Sequence, residues 1–340
     1  MGSNKYVSSS ERKITSEGFK NCNVNELKPG SILLTSRATI GEESICLEKC
    51  TTNQGFQSLT NFKDEILNEY VYYWLQTQKK EMLKLANGST FKEISNEQIR
   101  KLIVTYPDKI EQKKIVSLFS KIDQRIDVQR KTIEDLKKLR ESLCNAFYRS
   151  CKRKKIASLY SDGVLVQVKQ GNLRKFSGPK IYISTSSVDE DTVIGDEGLI
   201  TYENRPSRAS MEPLLGSVWF AKMKSTNKVV YADEYLCNKV VLSTGFYGVL
   251  PQSPILGKWL KYFFLTKGFN EEKDGLSEGG TMSGIKDSAV LEITIPLNED
   301  EGITSYEVLA LDTISEKLNL TSEATERLSS LKKLLLVSLF

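Results

Sequence analysis

The sequence contains no histidine among its 340 residues. This absence excludes Ser-His and Cys-His nucleophile pairs, histidine general acid–base catalysis and every zinc site that needs an imidazole ligand. The six cysteines are irregularly spaced along the chain, a pattern that favours reduced thiols over a disulfide framework. We therefore expect no metal site in this chain.

Other catalytic signals are also missing. The chain has no G-x-x-x-x-G-K-[ST] run, so a P-loop site is excluded, and no G-x-G-x-x-G run opens a helix after a strand. Asp108, Glu111 and Lys113 resemble the two carboxylates and the lysine of a nuclease site. They follow Pro107 at the start of a helical pattern, where charged residues commonly cap the helix. The sequence therefore predicts a binding protein without catalytic residues.

Long hydrophobic runs are absent as well. No stretch approaches the 18 or more apolar residues of a membrane-spanning helix, and no apolar run follows the charges near residue 1. With 39% apolar residues the chain can still form two domains with their own cores. We expect a cytoplasmic protein that makes no contact with a membrane.

An internal repeat is the most informative pattern that is present. Segments recur in the same order about 190 residues apart: 29–34 with 215–220, 66–75 with 255–264, 87–91 with 279–282, and 102–107 with 291–296. Each repeat is predicted to contain short strands, an aromatic-rich helix, a Gly-Thr loop and a closing strand that ends at a proline.

After each closing strand the apolar residues alternate at spacings of 3 and 4, which predicts a long heptad helix. Residues 109–155 carry 15 basic and 6 acidic side chains, whereas residues 299–340 carry 4 and 8. Opposite charge favours pairing of the two helices within one chain over two separate homo-oligomers. The predicted helix-pairing residues are Phe119, Ile122, Ile126, Ile133, Leu136 and Leu143 with Leu311, Ile314, Leu318, Leu328 and Leu335.

Loops in each repeat combine basic, amide and hydroxyl side chains. Arginine suits guanine, asparagine and glutamine suit adenine, and hydroxyl groups suit phosphate, although any one of these side chains can equally be a solvated surface group. Asn53 and Gln54 could also form a structural turn. The candidate DNA-binding residues are Ser36, Arg37, Thr39, Asn53, Gln54, Thr90 and Lys92, then Arg205, Arg208, Lys222, Lys224, Asn227 and Lys228.

The first repeat resembles the specificity subunit of type I restriction-modification enzymes. The resemblance covers residues 6–148 and is carried by YVSSSERKIT (6–15), GSILLTSRATIG (30–41), TNQGF (52–56), GSTFK (88–92) and EQKKI (111–115). It implies an α+β fold with two mixed α/β target-recognition domains in tandem, separated by two long helices that form an antiparallel coiled coil. We place these parts at residues 1–108, 109–153, 154–298 and 299–340.

The resemblance also implies a non-catalytic chain. Each domain would read one half of a bipartite double-stranded DNA site, and the helices would dock two methyltransferase subunits, with optional restriction or translocase subunits. S-adenosylmethionine, ATP and Mg²⁺ would bind those partners, so no cofactor is expected here. Two alternatives stay open: a type IIB specificity subunit, and a coiled-coil scaffold or inhibitor that binds no DNA.

One feature departs from this family pattern. The second repeat has about 61 residues (155–215) before its Gly-Ser strand, whereas the first has 29. The first domain is therefore predicted to lack about 32 residues at its start. Truncation, an internal start or a compact variant would each explain this, and whether the domain reads DNA stays open.

Overall fold

The computed structural model describes residues 4–88, 92–278, 283–298 and 301–340, with side chains from residue 304 onward in the last range. Most of the two Gly-Thr loops, including the candidate Thr90, lies outside the described residues. The helices are α1 (Ser16–Asn21), α2 (Asn68–Leu85), α3 (Asn96–Ile99), α4 (Lys109–Arg149), α5 (Ile156–Ser161), α6 (Glu234–Lys239), α7 (Pro254–Leu265), α8 (Lys267–Gly275), α9 (Asp287–Val290) and α10 (Glu301–Leu339).

The strands are mostly short. They are β1 (Tyr6–Val7), β2 (Ile32–Leu34), β3 (Glu43–Cys46), β4 (Lys152–Lys155), β5 (Leu165–Val168), β6 (Lys180–Ile183), β7 (Val188–Asp189), β8 (Thr192–Val193), β9 (Leu199–Ile200), β10 (Ala209–Met211), β11 (Val218–Ala221), β12 (Val229–Tyr231), β13 (Val240–Ser243), β14 (Phe246–Pro251) and β15 (Thr294–Leu297). The chain forms two compact units, Met1–Thr132 with Thr321–Phe340 and Ile133–Leu320.

The first unit is built around a small sheet and one aromatic helix. Its strand order is β1-β3-β2, with β3 parallel to β1 and antiparallel to β2. The aromatic run of α2, Tyr70 to Trp74, is at most 6% exposed and packs with β2, β3 and the end of α10. These rings therefore form the core, and they are not available for stacking on bases.

The second unit contains two four-stranded sheets, β12-β11-β14-β5 and β10-β13-β6-β9. All four residues of β11 are buried, and Trp219 lies directly opposite Gly248 of β14. A Cβ atom at position 248 would lie 2.5 Å from the Trp219 ring. Only glycine fits there, because a buried indole fills the space that a side chain would need.

The same hydrogen bonds recur in both units, which confirms the internal repeat. In the first unit, the hydroxyl of Tyr73 on α2 donates to Asp123 at 2.9 Å. In the second, Tyr262 on α7 donates to Asp312 at 2.7 Å. Equivalent backbone bonds are Thr35–Glu42 and Ala221–Lys228, Ser36–Gly55 and Lys222–Gly245, and Ile94–Ser36 and Ile285–Lys222.

The two long helices contain 41 and 39 residues, and α4 is therefore about 60 Å long at 1.5 Å per residue. In the first unit Gln129 of α4 accepts a hydrogen bond from Thr325 of α10, and in the second Arg140 donates to Ser315. As the chain advances along one helix it retreats along the other. The predicted fold class, mixed α/β units with two long antiparallel helices, is confirmed, and all eleven predicted pairing residues are buried or half-buried.

One ion pair between the long helices runs against their net charges. Lys332 of the acidic α10 pairs with Asp123 of the basic α4 at 2.6 Å, the reverse of the predicted polarity. Arg140 of α4 pairs with Glu190 and Asp191, in the turn between β7 and β8, at 2.9 and 3.4 Å. Net charge was therefore a poor guide to these contacts, because individual positions and not sums determine which charges meet.

One predicted strand is absent from the first unit. In the second unit the closing strand β15 pairs with β4, from Thr294↔Lys155 to Leu297↔Lys152. In the first unit residues 102–107 form no strand, and Ile103 is 84% exposed. The prediction was wrong there because no segment among the described residues takes the position of β4, and a strand needs a partner for its backbone groups.

Candidate nucleic-acid interface

The loop between β2 and β3 forms a tight projection on the first unit. A backbone hydrogen bond from Thr35 to Glu42 closes it at 2.9 Å. Ala38 and Gly41 adopt positive φ angles of 62° and 84°, which turn the chain sharply. As a result Arg37 and Thr39 are exposed at the tip of the loop.

A second loop supports the Arg37 side chain. The side-chain oxygen of Asn53 accepts from the backbone N–H of Gly55 at 2.9 Å, and the Gly55 carbonyl accepts from Ser36 at 2.8 Å. A Cβ atom at Gly55 would lie 3.2 Å from Nε of Arg37. Glycine therefore leaves room for the arginine to lie over this turn, and Asn53 has the structural role that the sequence allowed.

Other candidates of the first unit differ in their exposure. Arg37 forms a β-bridge with Glu93, so the exposed Lys92 lies next to the same loop. Gln54 is exposed beside Asn53. Ser36 is completely buried, and its hydroxyl has no hydrogen-bond partner among the described residues. The predicted contact of Ser36 with DNA stays a prediction, and this burial speaks against it, because the side chain offers no exposed group to a base or a phosphate.

The equivalent loop of the second unit lies between β11 and β12. Ala221 and Lys228 close it with a backbone hydrogen bond of 2.9 Å, and Ser225 has a positive φ of 56°. Lys224 is exposed at its tip, and Lys222 is half-buried with an ion pair to Asp287 at 3.3 Å.

Two predicted DNA contacts instead hold this loop in place. The Lys228 ammonium donates to the Thr185 carbonyl at 2.7 Å. The Asn227 amide donates to the Leu265 carbonyl at 2.9 Å and accepts from Asn270. The direct DNA contact expected for both stays a prediction, and these internal bonds give each side chain a structural role in the loop as well.

Lys273 of α8 lies beneath the same loop and was not predicted as a functional residue. It is completely buried, and its ammonium donates to the carbonyl groups of Thr226, Met223 and Ala221 at 2.6, 3.1 and 3.5 Å. Burial lowers the pKa of Lys273, and the neighbouring Asp274 opposes that effect. Lys273 is therefore a positioning residue. The sequence contains no signal for it, because a lysine in a polar helix normally faces solvent.

The remaining candidate arginines belong to a neighbouring loop. The Arg208 carbonyl accepts from Thr244, and the next residue, Gly245, accepts from Lys222, which brings the two basic loops together. The guanidinium of Arg205 lies 3.9 Å from the centre of the Tyr202 ring and is half-buried. This cation–π contact orients Arg205, whereas Arg208 is exposed.

Four exposed cations are consequently free to bind a polyanion. Among the described residues their side chains have no hydrogen-bond or ion-pair partner, in contrast to Lys222 and Lys228. Each lies on or beside a loop that a repeated backbone hydrogen bond fixes. They are Arg37 and Lys92 in the first unit and Arg208 and Lys224 in the second.

The apparent nuclease residues Asp108 and Glu111 take part in local structure. Asp108 accepts from the backbone N–H groups of Ile110 and Glu111, both at 2.9 Å, and so caps α4. Glu111 pairs with Lys114 at 3.0 Å. No group of three potential metal ligands occurs within the described part of the chain, and none of its helices could span a membrane.

Comparison with known proteins identifies relatives of part of this chain. Residues 2–138 match the type I restriction modification DNA specificity domain. The type I restriction enzyme MjaIX specificity subunit of Methanocaldococcus jannaschii is 39% identical over 136 residues, or 39% of this chain and 31% of that protein. The putative MjaX specificity subunit of the same organism is 28% identical over 114 residues, or 34% and 27%. The chain thus covers less than a third of either relative.

Solved structures share the fold over a larger part of the chain. The type I restriction-modification S subunit of M. genitalium has a TM-score of 0.60 at 16% identity, covering 100% of this chain and 89% of that one. A chain from a structural study of type I R-M complex assembly has a TM-score of 0.53 at 12% identity, covering 92% and 82%. The predicted resemblance is confirmed.

Proposed function

We propose that this chain, whose residues 2–138 match the type I restriction modification DNA specificity domain, is the DNA-recognition subunit of such a system. Each domain, 1–108 and 154–298, reads one half of a bipartite double-stranded site. The chain itself is non-catalytic. Methyltransferase subunits, two per chain, and optional restriction subunits supply the chemistry and bind S-adenosylmethionine, ATP and Mg²⁺.

One observation carries this proposal: both units present the same hairpin loop, fixed by the same backbone hydrogen bonds, with exposed cations on or beside it. Rigidly held loops with unpaired arginine and lysine side chains suit DNA, because arginine pairs with guanine and lysine with phosphate. A scaffold that binds no DNA has no need for unpaired cations at matching places in two units.

The surfaces of the long helices support the docking of partner subunits. Outside the seam they expose several large apolar side chains, and apolar side chains grouped on one surface are common at protein interfaces. In the first unit these are Ile110, Leu118, Val128, Leu331, Leu334 and Val337, and in the second Leu139, Leu309 and Leu320.

The decisive experiment is a genome-wide methylation map of cells that express this chain with its methyltransferase partner. We expect a split adenine-methylated motif that disappears without this chain. Arg37→Ala should weaken one half of the motif and Arg208→Ala the other. Loss of one bidentate arginine–guanine contact costs about 1–3 kcal/mol, or about 5- to 150-fold in affinity.

Lys267→Ala is the matched control, because Lys267 is an exposed cation of the second unit that lies outside both loops and pairs with Glu271. It should leave the motif unchanged. If Arg37→Ala and Arg208→Ala also leave the methylation motif and its occupancy unchanged, the result favours the alternative of a scaffold or inhibitor that binds no DNA. A partner that fuses methyltransferase and nuclease in one chain would identify a type IIB system.

A further inference from the structure

The loop between β5 and β6, residues 169–179, is strongly basic and lies outside the predicted DNA-binding segments. Together with Lys180, the first residue of β6, it reads KQGNLRKFSGPK and contains four basic residues and no acidic one. Lys169 and Lys175 are exposed, and neither side chain has a hydrogen-bond or ion-pair partner among the described residues. Positive charge that is left without a counter-ion in this way attracts a polyanion.

Another basic run of the same unit is neutralised by ion pairs. Residues 152–155 read KRKK and form the strand β4. In this run Lys154 pairs with Asp162 at 3.6 Å, and Lys155 pairs with Glu292 at 2.6 Å. Basic composition therefore does not by itself leave charge available, and the β5–β6 loop differs from β4 in the partners that its lysines lack.

The β5–β6 loop is fixed to the rest of its unit. The side-chain amide of Asn172 donates to the backbone carbonyl of Glu212 at 2.9 Å, and its oxygen accepts from the Glu212 N–H at 2.8 Å. Leu173 is buried in an apolar cluster with Tyr182 and Ile200. Because the loop is ordered in advance, less conformational entropy is lost when its lysines bind a ligand.

The β5–β6 loop also lies beside the loop that carries Arg205 and Arg208. The rings of Phe176 and Tyr202 meet edge to face, with their centres 5.8 Å apart. The other partner of the Tyr202 ring is the guanidinium of Arg205, 3.9 Å from its centre. The two exposed lysines therefore extend the candidate interface that contains Arg208.

The chemistry of the β5–β6 loop suits phosphate better than bases. Arg174, its only arginine, donates to the two carboxylate oxygens of Glu212, from Nε at 3.1 Å and from Nη2 at 3.4 Å. The fork that could pair with guanine is therefore occupied. The cations left over are lysines, whose ammonium groups bind phosphate as point charges.

We propose that the β5–β6 loop is a phosphate clamp, in which Lys169 and Lys175 contact the backbone of double-stranded DNA and orient the second unit on the duplex. This inference rests on the proposed function and divides its labour. Arg208 and its neighbours read bases, whereas the two lysines add affinity that depends on salt and is independent of sequence, because phosphates carry no sequence information.

The test measures the affinity of the chain, co-expressed with its methyltransferase partner, for a fluorescent duplex of about 40 base pairs that carries the methylated motif. Each phosphate contact contributes about 0.9 to the slope of log affinity against log salt. The double variant Lys169→Ala, Lys175→Ala should lower that slope by about 1.8, so the affinity advantage of the unaltered chain should shrink about 12-fold between 50 and 200 mM salt. The methylation motif and the melting temperature should not change, and Lys169→Arg with Lys175→Arg should keep the original slope.

Lys154→Ala with Lys155→Ala is the matched control, because it removes the same charge from the same unit at two lysines that are already paired. It should leave the slope unchanged. An unchanged slope in the loop variant, or an equal fall in the control, overturns the proposal while DNA recognition stands.

Two other outcomes also overturn the proposal. A changed methylation motif in the loop variant would make the loop a reader of bases. A loss of binding to heparin without any loss on duplex DNA would assign the loop to another polyanion. If the unaltered complex does not bind the duplex, the proposed function fails together with this inference, so the two failures are distinguishable.

Discussion

Removal of the buried ammonium of Lys273 is the sharpest test of how the second unit positions the loop between β11 and β12, which we propose reads DNA. In Lys273→Met the apolar stem keeps its volume, but the carbonyl groups of Met223, Thr226 and Ala221 lose their shared donor. Hydrogen bonds to a charged group contribute about 1.5–3 kcal/mol each, and an unsatisfied buried carbonyl costs about 1–3 kcal/mol.

The bonds to Thr226 and Met223 contribute most of this loss of stability, since the bond to Ala221 is 3.5 Å long. Relief of the desolvated ammonium offsets part of the loss, but Asp274, whose carboxylate lies 3.6 Å from that ammonium, loses its counter-ion. We therefore expect the free energy of unfolding of the second unit to fall by about 3–4 kcal/mol. The loop should also lose order, so recognition of the half-site that we propose for this unit should weaken.

Urea unfolding followed by tryptophan fluorescence measures the effect, because Trp219 and Trp259 are both buried in this unit. Lys267→Met is the matched control on the same helix: its side chain is 76% exposed in a surface pair with Glu271, so it should cost at most about 0.5 kcal/mol. Equal costs for the two variants would refute the positioning role of Lys273.

Three further predictions concern the first unit. Burial raises the pKa of Glu43 to about 7, and the adjacent Glu42 carboxylate adds to this effect. The folded unit therefore favours the protonated acid, and its free energy of unfolding falls as the pH rises from about 4.5 through 7. Glu43→Gln should add about 3 kcal/mol at pH 8.5 and little at pH 4, in urea titrations. Ser36→Ala should leave thermal stability and the methylation motif unchanged, because it removes a buried unpaired hydroxyl; a lost half-motif would contradict this. Leu334→Glu should abolish co-purification with the methyltransferase without lowering the melting temperature, since Leu334 is 69% exposed; retained binding would exclude this surface.

Much of the fold could be predicted from the sequence because local periodicity determines it. The 3-and-4 spacing specifies the long helices, and the aromatic run of α2 is apolar enough to require burial. The prediction of a strand at 102–107 was wrong because strand formation does not depend on local pattern alone. The alternation along these residues is local, but pairing requires a second segment, and no local pattern shows whether that segment is present.

The site was predictable at the level of loops and less so at the level of residues. Arg37 and Lys224 are exposed on the predicted loops. Lys228, Asn227 and Ser36 look equally suitable in sequence, yet their partners or their burial come from residues distant along the chain. Composition alone cannot distinguish a cation that is free from one that holds a loop.

The repeated frame has a consequence for the DNA site itself. Loop position is fixed by backbone groups, as in the Ser36–Gly55 and Lys222–Gly245 bonds, so the side chains at the tips can differ without moving the loop. They do differ: Arg37 occupies the place of Met223. Because base edges are read by side chains, the two half-sites should have different sequences. A methylation map with two unlike halves would agree with this argument, and an inverted repeat of one half would refute it.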